Sequence, residues 1–394
     1  MKKIIRAFAL SVPVLAALSC QESLSSISDR VFDLALQQIK LTDSRLPEGM
    51  CPKTVNHEGQ PVNSKRTWWC SGFYPGSAWY TYAYTSDPEV LEIARKHTHN
   101  LDSLYWLKTD HDLGFQTICS FGNAARFCDD GTNRENIVRN AAKLSSRFFP
   151  VAGVIKSWDN KKWDIPVIID NMMNLELLME GYFLCGADSL KQIAYSHANT
   201  TIVNHFRDDY SCYHLVNYSS QDGQILGKQT VQGYSDESSW ARGQAWALYG
   251  YTMMARQAGR AGDIPERNAY LAQAEGIARM LLGRLPSDGV PYWDFDDPEI
   301  PNSLRDASAA ACMASAFVEL SQLTSQKKLS RQCLDMAKKQ VRTLSGDEYL
   351  SKPGENCGFI LKHSVGYLAK NSEVDVPLTY ADYYFLEALF RLRK

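Results

Sequence analysis

Residues Asn171–Phe183 read NMMNLELLMEGYF, and a few residues on Ser189–Phe206 read SLKQIAYSHANTTIVNHF. The first stretch is apolar nearly all round, with Glu176 and Glu180 its only charges, and a helix of that kind belongs in an interior. The second places apolar residues three and four apart with polar ones between them, which predicts a helix with one buried face. Together they form a hairpin that can hide only one of its two helices.

The same alternation extends in both directions along the chain. Amphipathic, charged helices are predicted at Ser28–Ile39, Pro88–Leu101, Arg134–Phe148, Ser189–Phe206, Arg267–Leu285 and Lys327–Leu344. Helices rich in small and aromatic residues are predicted at Gly76–Tyr84, Phe115–Phe127, Asn171–Phe183, Trp240–Arg256, Ala307–Leu320 and Ala381–Arg391. The order is outer then inner, repeated around the chain. That order predicts an all-α fold, an (α/α)6 toroid, in preference to an open superhelix of regular repeats, because unit lengths vary from about 40 to about 75 residues. Strand signals are confined to Val151–Ile155 and Tyr213–Asn217. No Pro/Ser-rich linker divides the chain after residue 28, so residues 21–394 are expected to form a single domain.

The 394 residues are 45% hydrophobic and 22% charged, with a net charge of −2. Such a chain lacks the basic field that nucleic acid requires. Lys2, Lys3 and Arg6 precede an apolar run, Ala7–Leu18, that ends at Ser19-Cys20. This reads as a lipoprotein-type signal peptide over residues 1–20, too short for a mature span, and predicts export with a lipid anchor through Cys20. Nine cysteines follow without tight CxxC pairs, which argues against a disulfide framework or a zinc site. Cys185 and Cys312 are expected as small buried hydrophobes, and a Cys51–Cys70 bridge is the one pairing left open.

Unusual residues gather at the predicted inner-helix starts. Trp68–Gly76 reads WWCSGFYPG, His111–Phe115 reads HDLGF, Ile169–Asn174 reads IDNMMN, and Gln232–Trp246 reads QGYSDESSWARGQAW. If the inner helices run parallel, these segments open on one rim, where a ligand cavity belongs. Asp112 and Asp170 each have two readings, as a helix cap or turn residue and as a catalyst. Asp306 and Ser239 are further N-cap candidates. Asp170 ends the apolar run Val167–Ile169, where a charge is costly unless bonded or used. Trp69, Trp158, Trp240 and Trp246 suit both a core and a stacking platform for sugars. Arg242 suits both a pair with Asp236 or Glu237 and a clamp on a substrate carboxylate. His214 and Gln232 stand alone, and the histidines show no metal spacing. No GxSxG, P-loop or dinucleotide fingerprint is present, and no cofactor is expected.

HDLGF, DNMMNL, QGYSDESSWARGQAW and YWDF followed by RDASAAA resemble glycoside hydrolase family 88, the unsaturated glucuronyl hydrolases. The likeness runs from the Trp69 segment to Val374–Pro377 and Tyr380–Glu387. It implies an (α/α)6 barrel acting on the anionic unsaturated oligosaccharides left by polysaccharide lyases. It further implies that Asp170 is the general acid/base and Asp112 the second essential carboxylate. Trp69, Trp158, His214, Gln232, Trp240, Arg242 and Trp246 match substrate-pocket positions. The implied chemistry is hydration of a C4=C5 double bond, with no nucleophile of the ordinary glycosidase kind. It requires one carboxyl that is protonated near working pH, and a neighbouring Asp112 carboxylate is expected to raise Asp170. Some members carry a serine-and-lysine motif that binds sulfate. Here His363–Ser372 reads HSVGYLAKNS, and Ser364, Lys370 and Ser372 stand out of that register, leaving heparin-type and chondroitin-type substrates both open. The competing readings are a rhamnogalacturonyl hydrolase of similar chemistry, a sugar epimerase, and a non-catalytic glycan-binding lipoprotein.

Overall fold

The computed structural model describes residues 22–108, 110–128 and 131–393. The signal segment and the anchor expected at Cys20 lie outside these residues.

In chain order the helices are α1 (Leu24–Arg45), α2 (Phe73–Thr85), α3 (Pro88–His99), α4 (Leu113–Thr117), α5 (Asn123–Phe127), α6 (Thr132–Ser145), α7 (Asn171–Cys185), α8 (Asp188–His205), α9 (Ala241–Ala261), α10 (Ile264–Arg284), α11 (Ala307–Leu323), α12 (Lys327–Leu344) and α13 (Thr379–Leu392). A π-helical turn, Ile118–Gly122, joins α4 and α5 into one inner helix. The inner helices contact one another in the order α2, α4–α5, α7, α9, α11, α13, and α13 returns to α2. This closed ring is the predicted (α/α)6 toroid. Helices α1, α3, α6, α8, α10 and α12 pack outside it.

The division into inner and outer follows from side-chain chemistry. In α12 the buried residues are Leu329, Cys333, Ala337, Gln340, Val341 and Leu344, a single stripe on a charged helix. In α11 every residue from Ala307 to Leu320 is buried. Each large aliphatic so buried contributes about 1.5–3 kcal/mol. Some hydroxyls inside the ring bond within their own helices: Thr81 Oγ1 donates to Ser77 O, and Thr252 Oγ1 to Leu248 O. Hydroxyls bonded in this way cost little to bury.

Short strands decorate one end of the ring: β1 (Met50–Val55), β2 (Pro61–Lys65), β3 (Phe148–Phe149), β4 (Val154–Ile155), β5 (Ile165–Ile168), β6 (Leu215–Tyr218), β7 (Ile225–Gln229), β8 (Ser364–Tyr367) and β9 (Ser372–Val376). All pair antiparallel, as β1–β2, β3–β4, β5–β6–β7 and β8–β9. The sequence signals anticipated β4 and β6 only, since the other strands carry no sustained alternation.

Three sequence expectations need correction. Cys185 is exposed at the end of α7, whereas Cys312 is buried. Cys51 and Cys70 are both buried free thiols and form no bridge. Ser239 does not cap α9, which starts at Ala241; its Oγ instead accepts from Arg284.

Candidate active site

Asp112 and Asp170 occupy the N-cap positions of α4 and α7, yet neither side chain accepts a hydrogen bond from its helix. Asp306, at the same position of α11, does cap, accepting from Ser308 N at 3.0 Å. The capping reading therefore holds for Asp306 and fails for the other two. Neither carboxyl is spent on its own helix start.

What brings these two together is a close helix contact. A Cβ on Gly114 would stand 2.4 Å from Asn174 Cα, so only glycine lets α4 lie this near α7. Asn174 completes the junction: its Oδ1 accepts from Phe115 N at 2.9 Å, and its Nδ2 donates to Asp112 Oδ1 at 3.3 Å. Asp170 is delivered by β5, whose pairing with β6 ends in a bond from Ile169 N to His214 O at 2.9 Å.

That pairing also sets His214 beside Asp170, with Nε2 3.7 Å from Oδ2. His214 Nδ1 accepts from Val231 N at 3.0 Å and Gln232 N at 3.3 Å. Two backbone donors on Nδ1 assign the proton to Nε2, which points at the aspartate. Burial holds His214 neutral by pushing its pKa down to about 3. His111, completely buried, places Nε2 3.5 Å from Asp112 Oδ1, and burial lowers its pKa too.

Burial first, and then the Asp112 charge, raise Asp170 to about 7. Asp112 goes up as well, by burial first and then by Asp110. The pair therefore holds a proton in the neutral range, and its titration belongs to both members. A raised pKa alone does not mark a site. Asp382 is also pushed up to about 7 by burial, but its oxygens accept from Ile360 N and Leu361 N, which makes it a loop anchor. Asp170 Oδ2 is buried and has no such partner.

The other expected residues fall into two groups. Trp69 and Trp158 are half-buried; Trp69 packs on Phe115 and Tyr380, and Trp158 meets the edge of His111 at 6.3 Å. Gln232 donates from Nε2 to Gly366 O at 3.0 Å. Trp240, Arg242 and Trp246 are each at most 2% exposed and form the layer beneath the surface. Trp240 lies between the His214 ring at 4.8 Å and the Arg242 guanidinium at 4.4 Å. Arg242 does not pair with Asp236 or Glu237. It binds Asp306 Oδ2 at 3.0 Å and the carbonyls of Val365 and Gly366, tying β8 to the rim. Asp236 instead accepts from Thr230 N, and Glu237 lies against Arg207. Asp294, in YWDF, accepts from Tyr234 N and Ser238 Oγ and so shapes the 232–240 loop. Ser364 is fully buried, and Lys370 lies over Tyr367. His111, Asn174 and Asp294 were all in the quoted motifs, but nothing in their spacing revealed these contacts.

A cavity of about 620 Å³ opens at the opposite end of the ring, lined by Glu176, Glu180, Arg256, Glu319, Glu387 and Arg391 among others. There the charges satisfy one another, with Arg256 on Glu176 and Glu319, and Arg391 on Glu319 and Glu387. These ion pairs tie the inner helices together around the cavity. The unpartnered carboxyl sits at the other end.

No protein-family model matches the sequence. The chain is 44% identical over 328 residues, 82% of its length and 79% of the relative's, to an unsaturated glucuronyl hydrolase of Formosa agariphila. It is 32% identical over 356 residues to an enzyme of the same name from a Bacillus species, covering 87% of this chain and 91% of that one. Among solved structures, an unsaturated glucuronyl hydrolase specific for heparin superposes with a TM-score of 0.89 at 41% identity, covering 93% of this chain and 97% of the other. With the toroid, the uncapped aspartates and these likenesses in agreement, the chain belongs to the unsaturated glucuronyl hydrolases, glycoside hydrolase family 88.

Proposed function

We propose that the protein releases the 4,5-unsaturated uronic acid from the non-reducing end of glycosaminoglycan-type oligosaccharides, with Asp170 as proton donor. The observation that carries this is the Asp170 carboxyl itself: at a helix start but not capping, buried, raised to about 7 and facing His214 Nε2. A carboxyl kept protonated near neutral pH suits proton transfer to carbon.

Protonated Asp170 donates to C4 of the vinyl ether, leaving oxocarbenium character at C5. Water adds at C5 and gives its proton back to Asp170. The hemiketal so formed opens and expels the aglycone. Asp112 keeps the shared proton available by disfavouring a second negative charge, and His214 offers an N–H to substrate or carboxylate. Trp69 and Trp158 supply apolar faces for sugar rings. Arg242 acts from below by holding β8 in place, and its charge favours an anionic substrate. Relatives include a heparin-specific enzyme and a chondroitin disaccharide hydrolase of Streptococcus pyogenes, which supports a glycosaminoglycan product as the substrate class. The signal segment and Cys20 support export and anchoring at a membrane surface, with residues 21–394 acting as one catalytic domain.

The test is loss of ultraviolet absorbance from the conjugated double bond on unsaturated disaccharides from heparin, chondroitin, hyaluronan and pectin. No loss on any of them defeats the proposal. Loss on the pectin product alone moves the chain to rhamnogalacturonan chemistry. Labelled water must deliver its oxygen to C5; label at C1 indicates ordinary hydrolysis.

A further inference from the structure

The three-stranded sheet β5–β6–β7 uses its two faces differently. One face, with Ile165, Val167, Val216 and Tyr218, packs on Val154, Phe149 and Ala152. The register puts Pro166, Asn217 and Gly227 side by side on the other face, with Ile168, Leu215 and Gln229 as the next row toward Asp170. Asn217, Gly227 and Gln229 are only half-buried there, and a Cβ on Gly227 would meet nothing closer than 4.0 Å. The Trp163 indole reaches across this face, its Nε1 donating to Gln229 Oε1 at 2.7 Å.

Trp163 also continues a line of rings that begins at the catalytic pair. His111 adjoins Asp112, Trp158 meets His111 at 6.3 Å, and Trp163 meets Trp158 at 5.9 Å with the planes tilted by 38°. The far end of the line is basic. Lys162 rests its ammonium 4.4 Å from the centre of the Trp163 ring, and exposed Lys161 precedes it. Neither lysine has a carboxylate partner among the described residues, whereas nearby Asp159 is taken by Arg147 and Lys156. An aromatic face with two uncommitted ammonium groups, linked to the catalytic pair by this line of rings, fits an acidic sugar better than a neutral one.

We propose that Trp163, Gln229, Lys161 and Lys162 form a distal subsite for the acidic sugar that follows the residue next to the cleaved bond. The sugar ring takes the Trp163 face now covered by Lys162, Gln229 bonds its hydroxyls, and the two ammonium groups meet its carboxylate or sulfate. This subsite rests on the function proposed above and extends it from disaccharides to longer products, in which uronates recur at alternate positions.

Unsaturated hyaluronan disaccharide and tetrasaccharide test it, because only the longer one carries a second uronate and neither carries sulfate. The wild-type KM is expected to be about tenfold lower for the tetrasaccharide, in line with one aromatic contact and a screened charge. Trp163→Ala, and separately the exposed pair Lys161→Ala/Lys162→Ala, should raise the tetrasaccharide KM to the disaccharide value and leave disaccharide kinetics unchanged. Unchanged disaccharide turnover also certifies that each variant is folded. The lysine pair should in addition remove the salt dependence of the tetrasaccharide KM. A chondroitin tetrasaccharide with and without sulfate shows which acidic group the lysines read. If the wild type is inert on every disaccharide, the parent function fails. If it cleaves the disaccharide but its tetrasaccharide KM ignores both Trp163 and the lysines, the subsite alone is overturned.

Discussion

Asp306 accepts the Ser308 amide and pairs with Arg242, Asp382 accepts two loop amides, and Asp170 Oδ2 has no partner. The same residue type thus serves as cap, anchor and acid according to what each carboxyl touches. Asp170→Asn is expected to abolish turnover while circular dichroism stays unchanged; full activity in a folded variant removes Asp170 as the donor. With a value of about 7, kcat/KM should be flat below about pH 6, half its plateau near pH 7, and fall about tenfold per unit at higher pH, measured on one disaccharide. The same shift has a stability consequence. The folded value lies above the ordinary 3.8, so the folded state holds a proton that the unfolded chain loses near pH 4. That contribution is fully present below pH 4 and lost as pH rises through about 7. Calorimetry should therefore find Asp170→Asn with a higher Tm than the parent at pH 8, and the gain should shrink at pH 5. An equal gain at both values contradicts a raised pKa.

At the scale of elements, the site depends on how near two helix starts can come. Gly114 against Asn174 brings α4 to α7, and Gly250 against Met172, where a Cβ would stand 2.6 Å away, brings α9 to α7. Gly114→Ala should push α4 outward, cost about 1–3 kcal/mol by overpacking and lower kcat at least tenfold. Retained activity with an unchanged Tm would show that the junction has slack. Helices were legible in the chain because periodicity runs over many residues. Helix α12 matches its predicted span, Lys327–Leu344, and α7 and α11 begin at the predicted residues. Hairpins β1–β2 and β8–β9 were not legible. Their strands span four to six residues, and they are positioned by contacts far along the chain, such as Arg242 on Val365 and Gly366.

Across the whole molecule the two ends of the ring divide the labour. The end with the inner-helix starts gathers Asp112 and Asp170, which lack cap bonds, and the other end is tied together by paired charges. Glu319 accepts from Arg256 and Arg391 and is pulled down to about 2. A depressed carboxylate contributes stability that is present above its ordinary value of 4.5 and lost as pH falls through about 2. Glu319→Gln, which leaves the half-buried guanidinium groups of Arg256 and Arg391 with one carboxylate each, should cost about 1–3 kcal/mol at pH 7 and flatten the acid limb of the stability curve. Urea melts at pH 3 and 7 measure both effects, and equal losses at the two values refute the charge network as what ties this end together.

The sequence by itself determined the ring. Alternation of amphipathic and all-apolar helices is a local pattern, and only a closed array buries the apolar helix of every pair. It also brought Asp112 and Asp170 forward through motifs, but left each divided between cap and catalyst. Tertiary structure decided between them, because capping depends on where a side chain turns and pKa on how much water surrounds it. Both are set by α4, α7 and the β5–β6 pairing, whose contacts join residues some tens of positions apart that no local pattern connects. Arg242 was decided in the same way: its partner is Asp306, 64 residues on, and not the acids beside it in the chain.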